Sequence, residues 1–392
     1  MSRINDLIKE LCPNGVEYVK LEELVDYIQP AKYIVKNTNY DIKYDVPVLT
    51  AGQTFILGYT NEKDGIYYAS ADNPVIIFDD FTTSNHWVDF NFKVKSSAMK
   101  ILISKTDNLF KYIYYCISNI AYVPKEHSRQ WIQVYSQFQI PLPPLKVQKE
   151  IARILDKFGE LEAELEAELE ARKSQYEFWH KKIFDNSNGK VAKLSDLCII
   201  GDGLHGTPHY VDESEYYFIN GNNLNNGKIT YDNKTKKVSK KDFDNQSILL
   251  NDNTLLMSIN GTIGKVSYYN NEKIMLGKSV AYFNIKDKNR LSKKYLYYLL
   301  QSPNSIKYYQ DSLTGSTILN LGLKSLREFE VQIPSIDEQN RVANILERFD
   351  KLINDITVGI PAEIELRRKQ YEYYRNKLLS FEELYYEWFT RW

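Results

Sequence analysis

Apolar positions along this chain follow two rhythms that alternate twice. The runs VPVLT (Val46 to Thr50), GIYYAS (Gly65 to Ser70), PVIIFDD (Pro74 to Asp80) and HWVDFNFKV (His86 to Val94) are β-branched and aromatic. Gly, Asn and Asp separate them, and the pattern predicts short strands joined by turns. AMKILIS leads next into a helix over Asn108 to Asn119, where Leu109, Ile113, Cys116 and Ile117 recur at helical spacing. IPLPP then closes the region, because proline continues neither a ladder nor a helix interior. From about Lys146 to Phe184 the period becomes purely helical. At 1.5 Å per residue this predicts one helix on the order of 55 to 60 Å long. Its centre is the tetrapeptide repeat LEAE LEAE LEA, Leu161 to Ala171. A step of four residues advances about 400°, so Leu161, Leu165 and Leu169 form one slowly drifting stripe and Ala163, Ala167 and Ala171 a second. Two apolar stripes flanked by glutamates fit a helix lying against another of similar length, with the glutamates on a solvated face.

The same plan then returns. Asn186 to Lys190 is a polar linker, and a second strand-rich region runs to about Ile333. Its opening KLSDLC echoes KLEELV (Lys20 to Val25), and KYLYYLLQS echoes KYIYYCISN. A second long helix is predicted from about Asp337 to the end, broken or sharply kinked at Gly359-Ile360-Pro361 by the proline. With Pro143 aligned on Pro334, Gln148 falls on Gln339, Ala152 on Ala343, Ile154 and Leu155 on Ile345 and Leu346, and Phe158 on Phe349. Further on, Arg172, Gln175, Tyr176, Glu177 and Lys182 match Arg367, Gln370, Tyr371, Glu372 and Lys377 once four extra residues, close to one helical turn, are allowed in the second copy. The organisation is domain, helix, domain, helix, and a duplication of this length signals two equivalent tasks.

Composition narrows the class. The 392 residues suffice for two or three cores, and 43% hydrophobic residues is ordinary for a globular protein. No apolar run approaches the roughly 18 residues of a membrane span, and the N-terminus lacks a signal-peptide core, so the expectation is a cytoplasmic protein with no membrane partner. Cys12, Cys116 and Cys198 are widely spaced and suggest neither zinc nor disulfides. A net charge of −1 does not advertise nucleic-acid binding, although the sum hides local contrasts.

Catalytic motifs fail on inspection. Gly277-Lys278-Ser279 ends like a phosphate loop, but Glu272 occupies the position of the required earlier glycine. Asn73-Pro74 begins like the Asn-Pro-Pro-aromatic box of amino-methyltransferases, yet Val75 and Ile76 follow. His205 and His209 are four apart, with Pro208 between them, and no third metal ligand is evident. The chain reads as a binding protein with no metal site and no cofactor of its own.

Two variable strand-rich domains, each followed by a helix with a Pro-x-x-x-x-Gln start, an IARIL or VANIL core and an Arg-x-x-Gln-Tyr-Glu end, resemble the specificity subunit of Type I restriction-modification systems. The resemblance rests most specifically on KVQKEIARILDKF with ARKSQYEFW, on EQNRVANILERFD with GIPAEIELRRKQYEYYRNKLL, and on PVLTAGQTFILGYT. It covers essentially the whole chain. It implies an α+β fold: two target-recognition domains, 1–145 and 188–335, separated by two long helices, 146–187 and 336–392, which form an antiparallel coiled coil in a pseudo-two-fold repeat. It also implies double-stranded DNA as ligand, with one half of a split site per domain. Two methyltransferase subunits and the restriction/translocase subunits would be the partners. S-adenosylmethionine, ATP and Mg would belong to those partners. On this reading the tetrapeptide repeat acts as a ruler for the gap between half-sites. The alternatives are a coiled-coil adaptor whose domains bind protein, and a self-contained methyltransferase or nuclease, which the missing motifs disfavour.

Candidate DNA-reading residues are polar side chains on Gly-rich or Asn-rich loops, where Asn and Gln suit adenine and Lys or Arg suits guanine or phosphate. In the first domain these are Gln53, Thr54, Thr82, Thr83, Ser84, Asn85, His86, Lys125, His127, Arg129 and Gln130. In the second they are His205, Thr207, His209, Asn222, Asn223, Asn260, Thr262, Lys265, Lys278, Ser279, Ser316 and Thr317. Lys234, Lys236, Lys237, Lys240 and Lys241 would contact phosphate. For partner docking the aromatic groups Tyr176, Phe178 and Trp179, and Tyr371, Tyr373 and Tyr374, are expected anchors, with packing between the two long helices as the alternative.

Overall fold

A computed structural model of the chain describes residues 2–50, 54–185, 188–246, 248–315 and 318–384. It divides into two compact units. One comprises Met1–Glu164 together with the stretch from Ile364 onward, the other Leu165–Glu363.

The first unit is built on an antiparallel sheet in the order Val25–Ile28, Met99–Ser104, Val75–Asp79, Asn85–Val88. Every residue of Val75–Asp79 is buried, which explains its unbroken apolar run. Side chains alternate across the sheet. Ile76, Phe78 and Leu102 share a core with the helix Phe110–Asn119, whereas Val75, Ile77 and Ile101 face Leu49, Phe92 and Val94. The latter residues belong to or adjoin a small second sheet, Ile56–Thr60, Val46–Leu49, Lys93–Val94. A two-stranded ribbon, Glu17–Lys20 with Gln139–Leu142, closes the unit.

Several expectations are revised. GIYYAS is not a strand: Tyr67 bridges Phe92, and Ser70 bridges Asn73 across a turn. The run from His86 to Val94 divides between two sheets, Asn85–Val88 in one and Lys93–Val94 in the other. The helix Ser2–Leu11, with buried Ile4, lay outside the expected elements. The distal helix does not run to the end. It stops at Leu378, and the chain returns so that the Val16 amide donates to the Glu382 carbonyl and the Leu384 amide to Val16.

The second unit repeats the scaffold: Cys198–Asp202, Val280–Ile285, Thr254–Asn260 and Thr262–Tyr268 pair in the same antiparallel order, with Lys293–Leu300 as the equivalent helix. Lys190–Lys193 with Glu330–Ile333 repeats the ribbon. A second sheet contains Tyr210–Val211, Lys237–Val238, Tyr217–Ile219 and Ile274–Leu276.

The first long helix spans Leu145–Asp185, close to expectation. Its leucine stripe is half-buried, but Ala163, Ala167 and Ala171 are exposed, so only one of the two apolar stripes is covered. The distal helix is two helices, Ile336–Asn354 and Ile360–Leu378. The break lies at 355–359, ahead of the expected point, and Pro361 sits in the first turn of the next helix, where its missing N–H leaves no bond unmade. The additional residues of the second copy are thus accommodated at a break rather than in a continuous turn. Within the first unit Phe158 stacks on Tyr374, with centroids 5.5 Å apart, and Arg368 Nε meets Glu162 at 2.6 Å. Rising numbers on one helix meet falling numbers on the other, an antiparallel contact. Within the second unit Tyr176 lies against Phe349, and Val342, Ala343 and Leu346 enter the core.

Candidate nucleic-acid interface

In the first unit three loops converge on the hairpin between Val75–Asp79 and Asn85–Val88. The turn is tight. Asp79 Oδ1 accepts from the Phe81 and Thr82 amides, the Asp79 amide donates to the Ser84 carbonyl, and Thr83 adopts φ 63°. Thr82 and Ser84 are exposed and their hydroxyls lie 3.1 Å apart. Asn85 accepts from the Ser118 hydroxyl, which fixes its amide. His86 stacks on Phe55 at 4.0 Å, bringing the loop that carries exposed Thr54 to the hairpin. Burial holds His86 below the usual histidine range, so it presents a neutral imidazole at pH 7. Phe81 stacks on His127 at 4.6 Å, bringing in the third loop with exposed Lys125 and Arg129. Arg129 Nη1 lies 3.8 Å from buried Asp80.

Two candidates are placed differently. Gln130 is only 3% exposed, with its amide donating to Ser128 and accepting from the Tyr122 hydroxyl. It therefore shapes the loop and has no free edge for a base. Thr83 is also buried, and its hydroxyl is turned back onto the Thr82 carbonyl. Gln53 lies outside the described residues.

The equivalent hairpin of the second unit is Asn260-Gly261-Thr262, with Gly261 at φ 70°. Its neighbours are again loops brought together by backbone bonds. The Gly261 amide donates to Leu319. The Ile259 amide donates to Ser279, whose hydroxyl accepts from the Gly221 amide. The Lys278 amide donates to Leu204, next to His205. Thr262, Lys278, Asn222, His205, Thr207 and His209 are exposed on these loops. His205 Nε2 contacts Asp202 at 2.7 Å. Nearby, a cavity of about 540 Å³ is lined by His205, Thr207, His209, Asp242 and Gln246. Asn223 and Lys265 are engaged within the unit: the Asn223 amide donates to Thr230 and Thr235, and Lys265 Nζ to Asn225. Ser316 and Thr317 lie outside the described residues. Lys234, Lys236, Lys240 and Lys241 are exposed beside this cluster, whereas Lys237 is half-buried over the Tyr217 ring. The His209 amide, donating to Asp242, ties that basic segment to the loop.

The aromatic groups on the long helices divide. Tyr371 and Tyr374 lie against Phe158, and Tyr176 against Phe349 and His180, so these rings satisfy the packing alternative. Phe178, Trp179 and Tyr373 are 58%, 39% and 60% exposed and remain open to a partner. Residues that escaped the sequence reading are Phe55 and Phe81, which hold the histidines, and Asp80 with Lys100 beneath them. Their signal was a charge inside an apolar strand, as at Lys100 in AMKILIS.

Comparison with known proteins identifies this arrangement. The family described as Type I restriction modification DNA specificity domain matches residues 13–171 and 186–366. The chain belongs to that family and is a non-catalytic specificity subunit of a type I restriction-modification system. The chain is 41% identical, over 97% of its length and 98% of the relative's, to the specificity subunit of the type I restriction enzymes EcoR124I and EcoR124II of Escherichia coli. A putative type I restriction enzyme specificity subunit of Haemophilus influenzae is 27% identical over 96% of this chain and 98% of its own. Among solved structures, the type I system S subunit from M. genitalium shares the fold with TM-score 0.55 at 14% identity, covering 94% of this chain and 97% of that one. A chain from a study of type I complex assembly and conformational transition gives TM-score 0.60, also at 14% identity, over 94% and 98%.

Proposed function

We propose that each unit reads one half of a split, asymmetric DNA site through the loops gathered around its equivalent hairpin, 80–84 in the first and Gly261 in the second. The observation that carries this reading is the convergence, in both units, of exposed hydroxyl, amide, imidazole and cationic side chains at the same end of the same strand pair. Such mixed donor and acceptor sets are what base edges and phosphates require. The recognition domains are 1–145 and 188–335, and the helical regions 146–187 and 336–392 serve as spacer and docking surface. Two methyltransferase subunits dock there, with exposed Phe178, Trp179 and Tyr373 as anchors, and restriction/translocase subunits join them. S-adenosylmethionine, ATP and Mg act in those partners, in the cytoplasm.

A genome-wide map of methylated adenines with and without this gene tests the reading. Loss of one split motif is the expected result and supplies both half-sites. An unchanged map, together with no salt-dependent DNA affinity of the assembled complex, would sink it and favour a protein-binding adaptor.

A further inference from the structure

The two units share a scaffold but differ at one interior corner, where the first is charged and the second apolar. Asp80 and Lys100 are both fully buried, with Asp80 Oδ2 3.4 Å from Lys100 Nζ. Neither atom has a hydrogen-bond partner, and the ammonium also lies 4.9 Å from the Tyr27 ring. The strand registers identify the counterparts. Phe78 pairs with Lys100 as Met257 pairs with Ala281, and the Asp80 amide donates to Ala98 as the Ile259 amide donates to Ser279. Asp80 thus corresponds to Ile259, and Lys100 to Ala281. Counting back from Phe138 and Phe329, whose carbonyls accept from Leu21 and Leu194, Gln130 corresponds to buried Leu321. The same fold therefore closes this corner with Ile, Ala and Leu.

A buried ion pair is commonly no more stabilising than well-packed apolar residues, so the scaffold does not explain the charges. Their contacts do. Asp80 Oδ1 accepts from the Trp131 amide at 2.9 Å, and its carbonyl accepts from the Gln130 amide at 2.8 Å. Between these anchors and Lys125 lies Arg129, its side chain 49% exposed and 3.8 Å from the same carboxylate. Lys100 already compensates Asp80, which leaves the guanidinium charge of Arg129 to meet an anion.

We infer that Asp80, charge-balanced by Lys100, is a positioning residue that sets the Arg129 guanidinium toward acceptor oxygens of the DNA. The second unit does without this device. The inference rests on the proposed reading that these loops face the duplex. The acceptor is a phosphate oxygen or the edge of a guanine, and both offer the paired acceptors that a guanidinium fits.

The test grafts the apolar corner, D80I/K100A/Q130L, into the full chain assembled with its methyltransferase subunits. It is compared with R129A, with the two combined, and with D80N/K100M as a milder variant that keeps an acceptor for Trp131. Duplexes carry the motif mapped for the wild type, or that motif with either half scrambled, over a range of salt. The graft is expected to stay folded, at a midpoint lowered by the orphaned Trp131 amide, and to lose about tenfold in affinity. R129A should lose as much, and the combination little more. A uniform loss with the salt slope lowered by about one assigns the contact to phosphate. A loss confined to one half-site assigns it to a base. If the graft is unfolded, D80N/K100M carries the same comparison. Wild-type affinity in the folded graft, in R129A, or additive losses on combination would overturn the inference. A wild-type complex that fails to distinguish intact from scrambled motifs would instead overturn the functional reading beneath it.

Discussion

Gln148 and Gln339 share two matching hydrogen bonds in the two units. Each is buried in the first turn of a long helix and donates to the carbonyl of the proline that precedes that helix, Pro143 at 2.8 Å and Pro334 at 2.9 Å. Each accepts from the backbone amide that caps the domain helix, Leu109 at 3.0 Å and Ser292 at 2.9 Å. The remaining donor reaches Asn108 in one unit and the Arg290 carbonyl in the other. One side chain thus joins the start of the domain helix to the start of the long helix in each unit.

Replacing either glutamine by leucine leaves a buried amide and carbonyl unsatisfied. At about 1–3 kcal/mol per orphaned group, Q148L and Q339L should each lower stability by about 2 kcal/mol or more. Urea denaturation of the two variants checks this. A change below about 0.5 kcal/mol in both would show that the latch contributes little.

Gly159 sits inside the helix Leu145–Asp185, exposed, and a Cβ built there would meet nothing within 4 Å. Glycine in a helix interior costs about 0.5–1 kcal/mol relative to alanine through backbone entropy. G159A should therefore raise the stability of the chain by about that amount. An unchanged or lower midpoint in thermal unfolding would contradict the assignment of this position as an unconstrained helical residue.

His180 ties the same helix to the second domain. It is 5% exposed, its Nε2 lies 3.0 Å from the Tyr298 carbonyl, and Tyr176, Phe184 and Tyr298 surround it. Burial lowers its pKa, against the opposing pull of the Tyr298 carbonyl and of Asp350, the charged group facing it. A depressed folded pKa means that the unfolded chain binds the proton more readily. The stability is therefore fully present above the unfolded histidine value of about 6.5 and is lost as pH falls through the lower folded value. Between pH 7 and pH 5 the urea midpoint should fall for the wild type and fall less for H180Q, which keeps a donor without the titration. Parallel pH profiles for the two would refute the linkage.

Much of this architecture was legible because duplication and helical periodicity are local signals. Pro143 and Gln148, with their second copies Pro334 and Gln339, mark both helix starts in the sequence alone. What Gln148 holds was not legible, since Leu109 and Asn108 meet it only in the folded unit. GIYYAS looked like a strand because Tyr67 and Ala69 are buried, but burial against Phe92 needs no ladder beyond one bridge. The candidate site was partly legible. Turn chemistry singled out the hairpin at 82–86, but whether Gln130 points outward is decided by Tyr122 and Ser128, not by its residue type. Asp80 and Lys100 escaped because charges in apolar strands are legible as exceptions, while their partnership depends on strand register.

The tetrapeptide repeat supplies the last test. Leu145–Asp185 is continuous through LEAE LEAE LEA, and Leu161, Leu165 and Leu169 keep one half-buried stripe through it. One further LEAE unit inserted after Glu168 preserves that stripe, extends the helix by about 6 Å and advances its register by about 40°. One added base pair turns B-DNA by about 35°. The insertion variant should therefore keep both half-sites of the methylated motif and lengthen the unspecified gap by one pair. A map of methylated adenines in cells carrying the variant reads all three quantities at once. Retention of the original gap would show that the helix does not set the spacing, and altered half-sites would show that the insertion disturbs the recognition domains themselves.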